Sequence, residues 1–416
     1  MSKILVEGGA RLTGTVRTLG AKNAVLKEIV STLLAPGRHH LTNVPSILDV
    51  ELMARVLEHT GCLIEQGDHE LWIVVPDEPR PEAPIELVRQ MRASIVVLGP
   101  LLARCGEARV ALPGGDDLGA RPIEMHMHGL EQMGATFELV HGELVARVDG
   151  RLKGTEIELP FPSVGATENL IFAGVLAEGE TVVLNAAREP EIQDLITQLN
   201  SMGAEIEGSG TSLVTIRGVE SLVPVEHKVV PDRLEAGTYV VAGAITKGDV
   251  TVTGCDPDHL RMELTKLEAA GCDVERGDGW LRVTGPDRPE PIDFATLPYP
   301  GFHTDMQPQM VALLSLSTGT SVITENIYDA RYRYVGELAR MGADISIEAQ
   351  HAIIRGVDGL SGCPVLAPDI RAGAALVLAG LAADGVTEVS DPSHIDRGYE
   401  DFVGRLTSLG ATIERN

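Results

Sequence analysis

The 416-residue sequence predicts an α/β protein in which one unit of roughly 70 residues is written six times. Two markers carry this reading. In the first, a helical segment runs into glycine, a small or thiol side chain and then an alternating strand, at Gly61, Gly134, Gly203, Gly271, Gly342 and Gly410, with spacings of 73, 69, 68, 71 and 68 residues. In the second, an apolar, Ala-rich stretch ends in glycine ahead of a β-rich segment, at Gly37, Gly106, Gly179, Gly248, Gly319 and Gly385. These lie 69, 73, 69, 71 and 66 residues apart, so two different local patterns keep one phase along the chain.

Each unit reads in the same order. The Ala/Leu stretch, Ile370 to Ala383 in the last copy, carries few charges over more than three turns and predicts a buried helix, with the glycine beyond it as a left-handed C-cap. A strand follows, such as the one that begins at Thr181. The next segment, Pro190 to Met202 in the third copy, places Ile192, Leu195, Ile196 and Leu199 on one stripe and Gln193, Asp194 and Thr197 off it, which predicts an amphipathic helix. Gly203 ends that helix, and an alternating strand starts at Ala204. A unit this small cannot bury its own faces and needs neighbours. A solenoid and two groups of three meet that need equally well, and periodicity does not choose between them. Length favours two domains, because one core rarely grows beyond about 250 to 300 residues.

Composition narrows the function. With 60 acidic against 34 basic residues the formal charge is −26, spread along the chain, and such a field repels a nucleic-acid backbone while leaving room for a local Arg-lined anion site. The five cysteines form no CxxC pair and read as small buried hydrophobes in a reducing compartment. There is no signal peptide and no apolar run near the roughly 18 residues of a membrane span, so the expectation is a cytoplasmic protein without a membrane partner. No HExxH occurs, and His126 and His128, two apart on a predicted helix, do not share a face.

The polar residues that interrupt the repeat hold the chemistry. Gly20-Ala21-Lys22-Asn23 precedes the first apolar helix, and Lys22 there suits either a bound anion at a helix N-terminus or a solvated ammonium beside a cap. Arg92 opens the apolar run from Ala93 to Leu102 and should face solvent or an anion. The loop from Pro113 to Pro122 has three glycines, the adjacent acids Asp116 and Asp117, and then Arg121. It suits a phosphate-bearing ligand, a lid or an acidic surface turn, and it is neither a Walker loop nor a GxGxxG site. Glu189, Asp232-Arg233, Asp305, Arg331, Asp369 with Arg371, and Asp396-Arg397 lie near unit boundaries. Carboxylates set among arginines in a chain short of positive charge suggest an anion site with proton transfer.

These residues stand in motifs that resemble the UDP-N-acetylglucosamine enolpyruvyl transferases along the chain from Lys3 to Arg415. Besides Gly20 to Asn23, the motifs are Met91-Arg92-Ala93-Ser94, Leu112-Pro113-Gly114-Gly115, Arg121-Pro122, Ser163 to Thr167, Asn185 to Glu191, Pro231-Asp232-Arg233, Thr304-Asp305-Met306-Gln307 and His394 to Glu400. The resemblance implies a two-domain inside-out α/β barrel, three units per domain, with residues 1–20 and 230–416 in one domain and residues 21–229, including the loop 113–122, in the other. It implies transfer of enolpyruvyl from phosphoenolpyruvate to the sugar's 3-hydroxyl with release of phosphate. Small-molecule substrates are implied, with no metal or organic cofactor and no obligate protein partner.

Residue by residue, the resemblance gives Lys22, Asn23, Arg121 and Arg397 to phosphoenolpyruvate. Arg92 supports substrate placement, and Asn23 also reaches towards the sugar. Arg121, Pro122, Ile123, Glu124 and Met125, with Phe161, Pro162, Ser163, Val164 and Ile327, are given to the nucleotide. Asp305 takes the hydroxyl proton, and Glu189, Asp232, Arg233, Arg331, Asp369 and Arg371 support the site. A shikimate-phosphate enzyme of the same fold and a non-catalytic sugar-nucleotide binder are the rival readings.

Two positions depart from the family pattern. Where this chain has Lys27 many relatives have proline, a change expected to have a modest effect on stability and none on function. Where it has Asp116 most relatives carry the cysteine that is the proposed general acid and the target of fosfomycin, though some carry Asp. A carboxyl group can deliver the proton if Asp117 or burial raises its pKa, and a carboxylate opens an epoxide poorly compared with a thiolate. The expected outcome is an enzyme whose activity survives prolonged incubation with micromolar fosfomycin and collapses on Asp116→Asn. Time-dependent inactivation, or full turnover by Asp116→Asn, sinks the corresponding half of this reading.

Overall fold

The computed structural model describes residues 2–112, 114, 118–119 and 123–416. They form two compact units. The terminal unit comprises the chain up to Leu19 and Pro231–Asn416, and Leu118 and Gly119 group with it; the inserted unit comprises the other described residues between Gly20 and Val230. Each unit has its own apolar core.

Three Ala/Leu helices lie at the centre of each unit. They are α1 (Lys22–Ser31), α2 (Leu98–Cys105) and α3 (Val164–Gly174) in the inserted unit, and α4 (Arg233–Ile245), α5 (Gln307–Leu314) and α6 (Ile370–Ala382) in the terminal unit. Every residue of α4 and α5 is buried. Helices α4, α5 and α6 pack on one another; α2 packs on α3, and both α1 and α3 pack on the 3-10 turn Arg92–Val97 that leads into α2. Small side chains permit this closeness: a Cβ at Gly99 of α2 would lie 2.6 Å from the Asn169 carbonyl oxygen of α3.

Among the described residues six four-stranded sheets, three per unit, share one order. In the third copy Glu156–Glu158 runs parallel to Glu180–Leu184, which pairs antiparallel with Leu213–Arg217, which pairs antiparallel with Glu205–Glu207. Alternation buries Thr181, Val183, Val214 and Ile216 on the inner face, as a sheet with one packed side requires. The sixth copy takes its strand from the start of the chain: Lys3–Glu7 pairs antiparallel with both Val386–Ser390 and Thr412–Arg415. Helices inside and sheets outside make each unit an inside-out α/β barrel.

The amphipathic helices Leu48–His59, Glu124–Gln132, Pro190–Ser201, Arg261–Ala269, Val335–Arg340 and Phe402–Ser408 complete the copies. All six are followed by the first-series glycines, which share the left-handed conformation with φ between 90° and 102°. The second series differs from expectation. Gly106 caps α2 at φ 70°, but Gly248 and Gly319 are not left-handed, and Lys247 takes the positive φ beside Gly248. Gly248 is glycine for space, since a Cβ there would sit 2.1 Å from the Leu12 carbonyl oxygen. Gly385 is left-handed, yet α6 stops at Ala382 and a short strand, Ala383–Asp384, intervenes.

All five cysteines are free; Cys62, Cys255 and Cys272 are buried as expected, whereas Cys105 and Cys363 are half-buried. No helix among the described residues is long and apolar enough to cross a membrane. The shared glycine geometry gives a paired stability prediction. Gly203 has open space around its missing Cβ, so Gly203→Ala carries only the left-handed penalty and lowers stability by about 1 to 2 kcal/mol. Gly336, equally open but inside a helix, gains roughly 0.5 to 1 kcal/mol as Ala. Urea midpoints that move in the same direction for both variants would contradict this.

Candidate functional site

Lys22, Asn23, Arg92, Ser163, Asp232, Arg233, Asp305, Asp369 and Arg371 lie at or just before the N-terminal ends of the central helices. In the inserted unit Lys22 is the first residue of α1, and its ammonium lies 3.1 Å from Asp49, a carboxylate fully buried in the first turn of Leu48–His59. The Lys22 side chain is 12% exposed, which removes the solvated reading. Asn23 follows, half-buried. Arg92, also half-buried, opens the turn before α2 and faces His126. Burial, and then the Arg92 charge, push His126 down to about 4, so its imidazole is neutral near pH 7. The Asn169 amide lies 2.7 Å from Nδ1 of His126 and also donates to the Ile95 carbonyl, which leaves Nε2 to carry the imidazole proton. His128 is exposed, on another face as expected.

Ser163 caps α3, its hydroxyl accepting from the Ala166 N–H at 3.4 Å. Phe161 beside it is exposed, and Pro162 and Val164 are half-buried. Ile123 and Met125 are half-buried and Glu124 exposed at the start of Glu124–Gln132, a helix that packs on α3. Glu189 is buried at the N-cap of Pro190–Ser201, a helix that packs on α1. Asp116, Arg121 and Pro122 lie outside the described residues.

In the terminal unit the corresponding ends converge on Asp305. One carboxylate oxygen accepts from Nη2 of Arg331 at 3.1 Å and the other from Nε of Arg371 at 3.2 Å. Both arginines are buried, whereas the Asp305 side chain is 19% exposed. Burial opposes the Arg331 charge, but Asp305, Asp369 and Glu325 outweigh it and hold the pKa above its usual value. Arg371 lies over the Tyr399 ring at 5.1 Å, and Arg233 lies over Tyr299 at 5.3 Å. Asp232 and Asp369 cap α4 and α6, each accepting two backbone N–H groups at 2.8 to 3.0 Å. Arg397 is half-buried just after the turn Ser393–Asp396, whose Asp396 is gripped by Arg415 through two bonds of 2.6 Å. Ile327 is half-buried, and its N–H donates to Glu325 at 2.8 Å.

The family described as EPSP synthase (3-phosphoshikimate 1-carboxyvinyltransferase) matches residues 6–406. The chain belongs to the enolpyruvyl transferase family. Within it, the chain is 54% identical over 413 residues to the UDP-N-acetylglucosamine 1-carboxyvinyltransferases of Mycolicibacterium paratuberculosis and Mycobacterium tuberculosis, covering 99% of each chain. Identity to the enzyme of that name from Anaeromyxobacter sp. is 52%, over 100% of this chain and 99% of the relative. Among solved structures, the enolpyruvyl transferase NikO from Streptomyces tendae superposes with a TM-score of 0.91 at 26% identity, covering 100% of this chain and 99% of that one. EPSP synthase from Acinetobacter baumannii gives 0.76 at 20% identity over the full length of both chains, a likeness of fold.

Some features of this family member were invisible in its sequence. Asp49 looks like an ordinary first-turn acid, and only the fold brings it to Lys22. Glu325 ties Thr304, next to Asp305, to the backbone of Ile327 and Tyr328. Lys27 was expected to have a modest effect on stability and none on function; it is 8% exposed and paired with the buried Glu168, a contact that the expectation did not include.

Apart from the expected site, Glu28, Asp194 and His227 form an interior cluster with ligand atoms within 4.8 Å of one another, the one group of metal-ligand type among the described residues. Burial raises the Glu28 pKa well above the usual carboxylate range. Burial works against the His227 charge, but bonds to Asp194 and Glu28 win and raise it to about 10. Because the folded pKa of His227 is raised, its stabilising contribution is fully present below about pH 6.5 and is lost as pH climbs through about 10. The stability gap between the protein and His227→Gln should therefore be widest at pH 6 and narrow towards pH 10 in denaturant titrations; a constant gap contradicts the charged imidazole.

Proposed function

We propose that the chain transfers the enolpyruvyl group of phosphoenolpyruvate to the 3-hydroxyl of UDP-N-acetylglucosamine with release of phosphate, the first step of peptidoglycan synthesis, in the cytoplasm. The observation that carries the mechanism is Asp305, an accessible carboxylate held by two buried arginines, in a chain 54% identical to enzymes named for this reaction.

In the addition step the sugar oxygen bonds to C2 of phosphoenolpyruvate, its proton passes to Asp305, and the methylene C3 gains a proton from Asp116. Elimination then removes a proton from C3, restores the double bond and breaks the C2–O bond to phosphate. The donor is a trianion, and Lys22, Arg121 and Arg397 supply its counter-charges, with Arg92 and Asn23 placing the sugar nucleotide. Pre-pairing serves the same end: Asp49 holds Lys22 and two guanidiniums hold Asp305, so neither group needs to be reorganised when substrate arrives. Ser163 and its neighbours, at the N-terminus of α3, offer backbone N–H groups to the nucleotide.

The description of the family that matches the chain also names a shikimate-phosphate reaction, and substrate choice separates the two. The protein should release phosphate from phosphoenolpyruvate with UDP-N-acetylglucosamine and not with shikimate 3-phosphate. Asp305→Asn should keep the fold and lower kcat by about 10²- to 10⁴-fold, the usual worth of a positioned proton acceptor. Release with the shikimate substrate overturns the substrate assignment, and an undiminished kcat overturns the role of Asp305.

A further inference from the structure

Lys27 is a charged residue in the interior of the central helix α1, where the corresponding positions of the other copies, Val96, Asn169, Thr238, Gln309 and Ala375, are uncharged. Its ammonium folds back along α1 to the Asn23 carbonyl at 2.6 Å and lies 3.5 Å from Oε1 of Glu168 in α3. Glu168 is itself 1% exposed, and its other oxygen has no hydrogen-bond partner among the described residues. The pair therefore joins the first turn of α1, which begins with Lys22 and Asn23, to the helix that starts at Ser163 and Val164. Two segments given separate substrate roles are fastened to each other by one ammonium.

We infer that Lys27 is a positioning residue for the sugar nucleotide: by bridging the Asn23 carbonyl to Glu168 it fixes the first turn of α1 against α3. This rests on the reaction assigned above. A carbonyl at the start of a helix already accepts an intrahelical bond, and a second donor of full positive charge stiffens the turn that presents the Asn23 side chain. Above the pH at which Glu168 gives up its proton, loss of the ammonium leaves a carboxylate buried beside a backbone carbonyl, and like dipoles push that turn away.

The groups facing Glu168 give the arrangement a measurable signature. Burial raises Glu168 to about 7, Lys27 opposes that rise, and Glu189 and Glu191, from the start of the helix packed on α1, add to it. The neighbouring turn Arg92–Val97 and helix Glu124–Gln132 bring Arg92 and His126, which face each other. Since Lys27 lowers the Glu168 pKa, its removal moves protonation of Glu168 to higher pH.

The test is steady-state phosphate release and direct titration of UDP-N-acetylglucosamine, each from pH 6 to 9, on the full chain and on Lys27→Met, Lys27→Arg and Glu168→Gln. Lys27→Met should raise KM and Kd for the sugar nucleotide about tenfold, leave kcat within about threefold, and shift the KM limb near pH 7 upward by roughly one unit. Lys27→Arg should restore most of the affinity, and Glu168→Gln should abolish the limb. A wild-type chain without phosphoenolpyruvate-dependent phosphate release fails the assigned reaction. An active wild type fails the inference alone if Lys27→Met, folded at the assay temperature, keeps wild-type KM and pH profile. Should Lys27→Met not fold, a Glu168→Gln protein that retains the limb overturns the inference equally.

Discussion

Burying a helix on every side creates the constraint from which the rest of this structure follows. Its first N–H groups have no partner within the helix and, in a closed barrel of sheets, no ready access to water. Asp232 and Asp369 meet the need with two bonds each, and Ser163 with one. Polar side chains are thus drawn to one end of each central helix. Within a unit those ends lie near one another because the three helices share one core. A place already lined with oriented donors and charges is a natural site for an anionic ligand, so the repeat that builds the scaffold also gathers the chemistry.

The two units handle charge differently at these ends. In the terminal unit a single carboxylate is shared between Arg331 and Arg371, and the Tyr399 ring supports the Arg371 guanidinium at its flat face, as Tyr299 does for Arg233. Geometry there is set by planar guanidiniums, each donating one bond to a different oxygen of Asp305, which leaves the carboxylate little freedom. In the inserted unit, beside Arg92, two lysines each sit on a buried acid: Lys22 on Asp49 and Lys27 on Glu168. An ammonium on a flexible stem can keep its partner while shifting slightly, which suits a site that must accept substrate charge as well.

Much of this was legible in the sequence, and the limits have physical causes. The amphipathic helices and their glycines could be read because a left-handed residue must end each helix and L side chains avoid that conformation; Gly203 and its five counterparts bear this out. The second glycine series was misread in part, because Gly248 answers to a close approach by Leu12 from 236 residues away, and no local pattern records such a contact. Asp305, Arg331 and Arg371 stood out as charges that broke an apolar repeat, yet their mutual bonds span 26 and 66 residues and emerge only on folding. Asp49 and Glu168 carried no signal, since an acid in a helix's first turn or among apolar neighbours looks the same whether or not a lysine reaches it. Loop chemistry at Asp116 rests on family resemblance alone.

The strand Lys3–Glu7 has consequences for how the chain is made. It is made well before both of its partners, Val386–Ser390 and Thr412–Arg415, which lie nearly the whole length of the two units further along the chain. At about 5 to 20 residues per second it waits roughly 20 to 80 seconds for its sheet. The inserted unit, by contrast, is continuous in sequence from Gly20 to Val230 apart from the loop, and can close its core while the remainder is still being translated. During that interval Lys3–Glu7 is an unpaired β-segment with Ile4 and Val6 uncovered, and the arrival of Val386–Ser390 and Thr412–Arg415 is the event that completes its sheet.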